Sequence, residues 1–126
     1  MNRFWLGIGI LAIFLGLGLW TSRTMDDLHT QLSETLELAA EELRTGETEK
    51  GFARAQQAQE KWQQQWHGVA AAADHAPMDE IDGLFAQMQI YGKAGAAIDA
   101  AACCARLSKL VAAVGEAHSL NWWNLL

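Results

Sequence analysis

Proline is nearly absent from this 126-residue chain, which has one proline and two cysteines. Proline breaks helices and β-branched residues favour strands. Because runs of Val, Ile and Thr are also scarce while alanine is abundant, the composition predicts one small all-α domain. Basic residues are few as well: nine Lys and Arg against fifteen Asp and Glu give a net charge of -6. An acidic surface repels phosphate backbones, so we expect no nucleic-acid partner.

The two cysteines, Cys103 and Cys104, are adjacent in the sequence. Neighbours on a helix point about 100° apart and are poorly placed to form a disulfide with each other. We expect both to be small apolar residues in a packed helix. A redox role or an intermolecular disulfide is the alternative.

One long hydrophobic run stands near the N-terminus, from Phe4 to Trp20. As a helix this apolar segment (residues 4–20) is about 25 Å long, which is at the short end of what spans a hydrocarbon core of about 30 Å. Trp5 and Trp20 bracket it, as aromatic residues do at both membrane interfaces. The sequence therefore predicts a single-pass transmembrane anchor in residues 1–22.

A cleaved signal peptide is the alternative reading of this segment. Gly16 and Gly18 offer a weak match to a cleavage site, but bulky residues follow and the run is long for a signal core. Arg3 and the terminal amine flank one side and Arg23 the other. The positive-inside bias then predicts a cytoplasmic N-terminus and an extracytoplasmic domain in the cell membrane.

Small residues share one face of the apolar segment: Gly9, Ala12 and Gly16. Such a face lets a second helix approach closely within the bilayer. It predicts helix packing in the membrane, either with another membrane protein or in a homo-oligomer.

Four amphipathic stripes follow in residues 23–118, each with apolar residues at three- and four-residue spacing. The first ends at Gly46, a candidate left-handed cap. The second occupies residues 47–73. The third begins with Pro77 in its first turn, and the fourth follows a turn at 92–95 and ends near His118. The stripes consist of Met25, Leu28, Leu32, Leu36, Ala39 and Leu43; Phe52, Ala55, Trp62, Trp66, Val69 and Ala73; Met78, Ile81, Leu84, Phe85, Met88 and Tyr91; and Cys103, Cys104, Leu107, Leu110, Val111 and Val114.

Short connections favour antiparallel neighbours. The sequence thus predicts an up-and-down four-helix bundle on a single membrane helix, with the first bundle helix continuing directly from the anchor. Four antiparallel helices return the C-terminal tail, residues 119–126, to the membrane end. Trp122 and Trp123 there suit the membrane interface, and the alternative is that the tail caps the bundle core.

The same topology gathers histidines and carboxylates in the membrane-proximal half. The candidate metal ligands are His67, Asp74, His75, Glu80, Asp82 and His118. Histidine and carboxylate side chains in a helical bundle can bind Zn, Fe or Mn. The sequence has no HExxH or Glu-x-x-His pair, and helix capping and loop ordering explain the same residues. Metal binding is therefore the alternative function, and we expect no cofactor.

Three motifs carry a family resemblance: the pair Trp62 and Trp66, the stretch DHAPMDEID, and the terminal LNWWNLL. The chain resembles an uncharacterised family of Gram-positive bacterial membrane proteins, domain-of-unknown-function family 4363, over essentially its whole length. The most specific matches are His75, Glu80, Ile81, Asp82 and Asn124. The resemblance implies a short N-terminal span and a helical extracytoplasmic domain. It implies no established activity, cofactor or catalytic residue.

We expect a non-catalytic interaction or accessory protein whose partners are the lipid bilayer and a membrane protein. The sequence shows no nucleophile paired with a base, and we name no catalytic residue. A small-ligand sensor is a third class, which the alanine-rich stripes disfavour because they pack closely.

Overall fold

The computed structural model describes residues 2–69 and 76–123. They form four helices: α1 (Asn2–Arg44), α2 (Thr48–Val69), α3 (Ala76–Lys93) and α4 (Ala97–Trp123). Short turns join α1 to α2 and α3 to α4, and the described ranges hold no strand. The prediction of an all-α fold is confirmed for the part of the chain that the structure describes.

Helix α1 joins the apolar segment to the bundle without a break. It has 43 residues, which corresponds to about 65 Å of helix. Between Gly18 and Gly46 the sequence contains no glycine and no proline, so nothing interrupts the backbone hydrogen bonding of the helix. The prediction that the first bundle helix continues directly from the anchor is therefore confirmed.

The turn after α1 depends on Gly46. Its φ of 93° lies in the left-handed region that residues with a Cβ avoid. The Glu47 N–H then reaches back to the Glu42 carbonyl at 2.9 Å, which is the hydrogen bond of a Schellman cap. Gly95 ends α3 in the same way, with φ of 71° and the Ala96 N–H on the Tyr91 carbonyl.

The other helix boundaries agree in part with the sequence. Helix α2 is described as far as Val69, so its predicted end at residue 73 lies outside the described residues. Pro77 lies in the first turn of α3, where its missing N–H costs no hydrogen bond. Helix α4 continues to Trp123. The predicted boundary near His118 is therefore wrong, because residues 119–123 continue the helix instead of starting a separate tail.

Consecutive helices run antiparallel. Helix α1 packs against α2 and α4, and α3 packs against α4. Hydrogen bonds between long side chains connect α2 to α3, so each of the four helices contacts two others. We call the end nearest the apolar segment, with His29 and Gly115, the near end. The end with the turns at Gly46 and Gly95 is the far end.

The core consists of most residues of the predicted stripes together with alanines between them. The residues buried in it are Leu32, Leu36, Ala39, Leu43, Ala55, Ala58, Trp62, Met78, Ile81, Leu84, Phe85, Met88, Ala100, Ala101, Cys103, Cys104, Leu107, Val111 and Val114. Leu28, Phe52 and Leu110 are half-buried, and the side chains of Met25, Trp66, Val69 and Ala73 lie outside the described residues. Every described α3 stripe residue from Met78 to Met88 is buried, while Tyr91 is half-buried. Each stripe alone would leave its apolar side in water, so the helices are stable as a set.

Candidate functional site

The apolar segment lies outside the bundle and its side chains are exposed. Residues Arg3–Trp20 are long and apolar enough to cross a membrane, and none of that window is buried within the protein. Trp5 and Trp20, the predicted interfacial residues, are 67% and 69% exposed. A signal sequence has the same length and composition, so the membrane location stays a prediction.

The small-residue face of this segment is open. Apart from the neighbouring backbone of α1 itself, no atom of the described residues comes within 4 Å of a Cβ built on Gly9 or Gly16. Ala12 is likewise exposed. The predicted packing of this face against another membrane helix is compatible with this exposure, and it stays a prediction.

A groove between α1 and α4 runs along the bundle, and most of the residues that line its near section are polar. This section has a volume of about 340 Å³. Its lining consists of His29, Thr30, Ser33, Glu34, Glu37, Ala112, Gly115 and Glu116. His29 approaches α4 here because Gly115 has no side chain: a Cβ at that position would lie 2.8 Å from the His29 Cβ. The near end therefore brings a histidine and several carboxylates to one face.

Hydrogen bonds between two serines fix the position of α4 along the bundle axis relative to α1. The Ser108 hydroxyl donates to the Ser33 carbonyl at 2.9 Å, and the two hydroxyl oxygens lie 2.8 Å apart. The Ser33 hydroxyl also lies 3.0 Å from the Ser108 carbonyl. Ser108 is almost fully buried, so these hydrogen bonds compensate its desolvation. Their chemistry is structural: both hydroxyls contact backbone carbonyls of the opposite helix.

The far section of the groove is mainly apolar. It has a volume of about 440 Å³. Its lining consists of Glu37, Ala40, Glu41, Arg44, Ile98, Ala101, Ala102, Ala105 and Lys109. Alanines form its floor, Ile98 is exposed at its far end, and charged side chains lie along its rim.

Two of the candidate metal ligands have protein partners. The Asp82 carboxylate accepts a 2.9 Å hydrogen bond from the Trp62 indole N–H. Glu80 forms a 2.8 Å ion pair with Arg106 of α4. Both contacts join neighbouring helices, so these carboxylates have structural roles.

The remaining metal candidates fall outside what the structure describes. Asp74 and His75 lie in the range 70–75, and the side chains of His67 and His118 are likewise outside the described residues. Among the described side chains, no three His, Cys, Asp or Glu residues gather as metal ligands would. The metal site stays a prediction.

Cys103 and Cys104 lie in the core of α4 as free thiols. Burial, reinforced by the neighbouring Cys103, raises the pKa of the Cys104 thiol to about 12. Burial also raises the pKa of Cys103, and Asp99 adds to this effect while Arg106 opposes it. Because the thiolate is the reactive form, both positions fit the expected role as apolar core residues.

Trp122 and Trp123 belong to the last turn of α4 as far as the backbone is concerned. Their side chains, and residues 124–126 including Asn124, lie outside the described residues. Contact of the tail with lipid or with the bundle core stays a prediction.

Sequence reasoning did not identify Ser33 and Lys109 of the groove or the buried Ser108. A signal was available for the serines, because each is adjacent to a residue of an apolar stripe, Leu32 and Leu107. No comparable signal exists for Lys109, which is one charge among many on exposed helix faces.

Comparison with known families gives one match. The model of the family described as Domain of unknown function (DUF4363) matches residues 19–125. No curated protein and no solved structure matches the chain. The resemblance found in the sequence is thus confirmed at the level of the family, while its Gram-positive origin and membrane character stay predictions.

Proposed function

This chain belongs to the DUF4363 family of domains of unknown function, and we propose that it is a membrane-anchored accessory protein. In this proposal the apolar segment crosses the cell membrane once, and the bundle stands on the extracytoplasmic side. The bundle has no catalytic role and associates with a membrane protein.

The continuity of α1 is the observation that carries this proposal. The exposed apolar segment and the core residues Leu32, Leu36 and Leu43 belong to one helix. An exposed run of this length and hydrophobicity is costly in water and stable in lipid. Because no flexible linker intervenes, the bundle would be held at a fixed distance from the membrane surface.

The geometry of α1 sets that distance. The 24 residues from Thr21 to Arg44 correspond to about 36 Å of helix. The turns at Gly46 and Gly95 would therefore lie at the outer tip, and the groove between α1 and α4 would extend from the headgroups to that tip. A bundle presented in this way suits recognition of a neighbour in the same membrane.

Charge supports the orientation. Arg3 and the terminal amine precede the apolar segment, whereas Arg23 alone follows it, and the acids Asp26 and Asp27 add little to the positive-inside bias. This bias favours retaining the N-terminal side in the cytoplasm. The acidic bundle then faces outward, away from the anionic lipids of the cytoplasmic leaflet.

The anchoring step is tested on the full-length chain with a C-terminal tag. Alkaline extraction of the membranes and the intact mass of the protein should show the uncleaved chain in the membrane pellet. Leu11→Arg with Leu15→Arg should release it, since each arginine at the centre of a span costs about 2.5–3.5 kcal/mol. Leu38→Arg, at an exposed apolar residue of the bundle, is the matched control and should stay in the pellet. A soluble product shortened at its N-terminus would overturn the anchor.

The partner step is tested by crosslinking in native membranes followed by affinity capture of the tagged chain. A crosslinked species that contains a second membrane protein supports the accessory role. Recovery of the free monomer alone, at crosslinker doses that trap a known complex in the same membranes, contradicts it.

A further inference from the structure

The face that α1 and α4 present outward has an apolar floor and no covering element in the described part of the chain. Ala102 and Ala105 of α4 are exposed on this floor, and Ile98 is 66% exposed at its far end. Alanine side chains are short, so a helix lying on them can approach the α4 backbone closely. The floor thus has room for one further helix along the bundle axis.

The two walls of the far section of this groove carry charges of opposite sign, with Glu37 and Glu41 on α1 and Lys109 on α4. In the near section Glu34 on α1 is accompanied by another acid, Glu116, on α4. Arg44 is already engaged by Glu41 at 2.7 Å. Glu37 and Lys109 form no ion pair within residues 2–69 and 76–123. The α1 wall therefore suits a helix of small apolar residues that carries a lysine, and the outward face of α4 is such a helix.

We propose that a second copy of this chain docks on this face, so that α1 of each copy lies in contact with α4 of the other in a parallel two-fold dimer. The inference rests on the proposed function in one respect: both copies are anchored in the same membrane. Both anchors must enter that membrane in the same direction. The two-fold axis is then parallel to the bundle axis, so residues at the same position along that axis face each other in the two copies.

The positions of Glu37 and Lys109 along the bundle axis agree with this symmetry. The Ser33–Ser108 hydrogen bonds place these residues at one level. Because the helices are antiparallel, Lys109 lies about 1.5 Å from Ser108 toward the near end and Glu37 lies about 6 Å from Ser33 toward the far end, so the two residues are about 7.5 Å apart along the axis. The lysine and glutamate side chains together span that distance. Across the two-fold axis each Lys109 would therefore meet Glu37 of the second copy, forming two equivalent ion pairs.

The small-residue face of the apolar segment points to the same side of α1. With 3.6 residues per turn, Ala12 and Gly16 each lie within about 20° of Glu41 around the helix axis. The buried stripe with Leu36 and Leu43 is on the opposite side. Within the bilayer the small residues of both copies would thus face the two-fold axis.

Anchoring explains how a shallow groove can be sufficient. Two chains held in one membrane with one orientation have a high effective concentration, so a weak interface yields a populated dimer. The exposed ion pairs would determine register and orientation more than affinity.

Charge reversal in full-length protein reconstituted in phospholipid vesicles tests the dimer. Copies with donor or acceptor dyes on a C-terminal tag report association by energy transfer. Lys109→Glu and Glu37→Lys each place two like-charged pairs in the interface, and we expect each to lower the association constant about tenfold. An equal mixture of the two variants restores both attractive pairs and should regain wild-type energy transfer. Lys61→Glu and Glu60→Lys, exposed on α2, make the same charge changes on another face and should have no effect.

The outcomes separate the dimer from the anchor. Vesicle flotation of the same samples measures anchoring. Protein that floats without energy transfer overturns the dimer and leaves the proposed function standing. Protein that fails to float overturns the proposed function and the parallel dimer with it. Variants that associate like the wild type, or a mixture that does not recover, also overturn the dimer. Recovery in the mixture requires both variants to be folded, which excludes misfolding as the cause of their loss.

Discussion

The indole N–H of Trp62 donates a 2.9 Å hydrogen bond to the Asp82 carboxylate and so joins α2 to α3. Trp62 is 3% exposed, so its indole N–H has little access to water. Asp82 was a candidate metal ligand in the sequence, and this contact assigns it a structural role. The hydrogen bond lies in the near half of the bundle.

We expect Asp82→Ala to lower the free energy of unfolding by about 1–3 kcal/mol, because it leaves a buried donor unpaired. Asp82→Asn retains an acceptor oxygen and should cost less. Urea denaturation of the full-length protein in detergent measures the difference. Asp27→Ala, an exposed carboxylate on α1, is the control. Equal stability of the Asp82→Ala and Asp27→Ala variants would contradict this role.

Two glycines in helices should respond to alanine in opposite directions. A Cβ at Gly51 would lie 2.6 Å from the Leu43 Cγ and 3.0 Å from the Leu43 backbone nitrogen, so we expect Gly51→Ala to cost about 1–3 kcal/mol by overpacking. A Cβ at Gly83 meets nothing within 4 Å. Gly83→Ala should stabilise the protein by about 0.5–1 kcal/mol through reduced backbone entropy of the unfolded chain. Thermal unfolding of both variants beside the wild type checks the opposite signs. A gain in stability from Gly51→Ala would show that α1 can move away from α2.

The helices could be predicted from the sequence because each depends on local information. Apolar residues at three- and four-residue spacing indicated the buried sides of α1 and α3, and Gly46 indicated the turn between α1 and α2. Continuity of α1 followed from the absence of helix breakers. The end of α4 was misplaced because the sequence near His118 contains no strong stop signal, and the helix continues to Trp123.

Contacts between helices could not be predicted in this way. Periodicity identifies the buried side of a helix. It does not give the shift of that helix along its axis, or its rotation about that axis, relative to a neighbouring helix. The Ser33–Ser108 pair and the Trp62–Asp82 hydrogen bond depend on both. The position of the histidines along the bundle axis could be inferred from topology alone. For His29, its approach to Gly115 at the near end agrees with that inference. Their ligand geometry requires side-chain positions that topology does not provide.

Acid should weaken the contact between α1 and α2 through Glu42. Its carboxylate accepts hydrogen bonds from the Arg54 Nε at 3.0 Å, and the Arg54 Nη2 lies 2.8 Å away. The Arg54 hydrogen bonds hold the pKa of Glu42 below its ordinary value of 4.5, although burial opposes them. The unfolded chain therefore takes up this proton at a higher pH than the folded chain. The stabilisation is present above pH 4.5 and is lost as the pH falls through the lower folded pKa.

Glu42→Gln removes this contribution, so the variant should lose less stability than the wild type between pH 6 and pH 3, over a range set by the ordinary glutamate pKa of 4.5. Denaturation curves at a series of pH values measure the two slopes. Glu60→Gln, an exposed residue of α2, should keep the wild-type slope. Parallel curves for the wild type and Glu42→Gln would show that the ion pair with Arg54 does not contribute to the acid response.

The thiols of Cys103 and Cys104 should resist alkylation in the folded protein. Cys104 has no exposed surface and Cys103 is 7% exposed, and burial raises the pKa of both, that of Cys104 to about 12. Iodoacetamide reacts with the thiolate, so at pH 8 we expect no modification of the folded chain and two modifications in urea, measured by intact mass. Ala105→Cys places a thiol at an exposed position of the same helix and should be modified without urea. Because the folded pKa of Cys104 is raised, its contribution to stability is complete below the ordinary thiol pKa of 9.0 and decreases as the pH rises toward 12. Rapid modification of Cys104 in the folded protein would show that α4 opens locally, and the redox role considered from the sequence would then have a reactive thiol to support it.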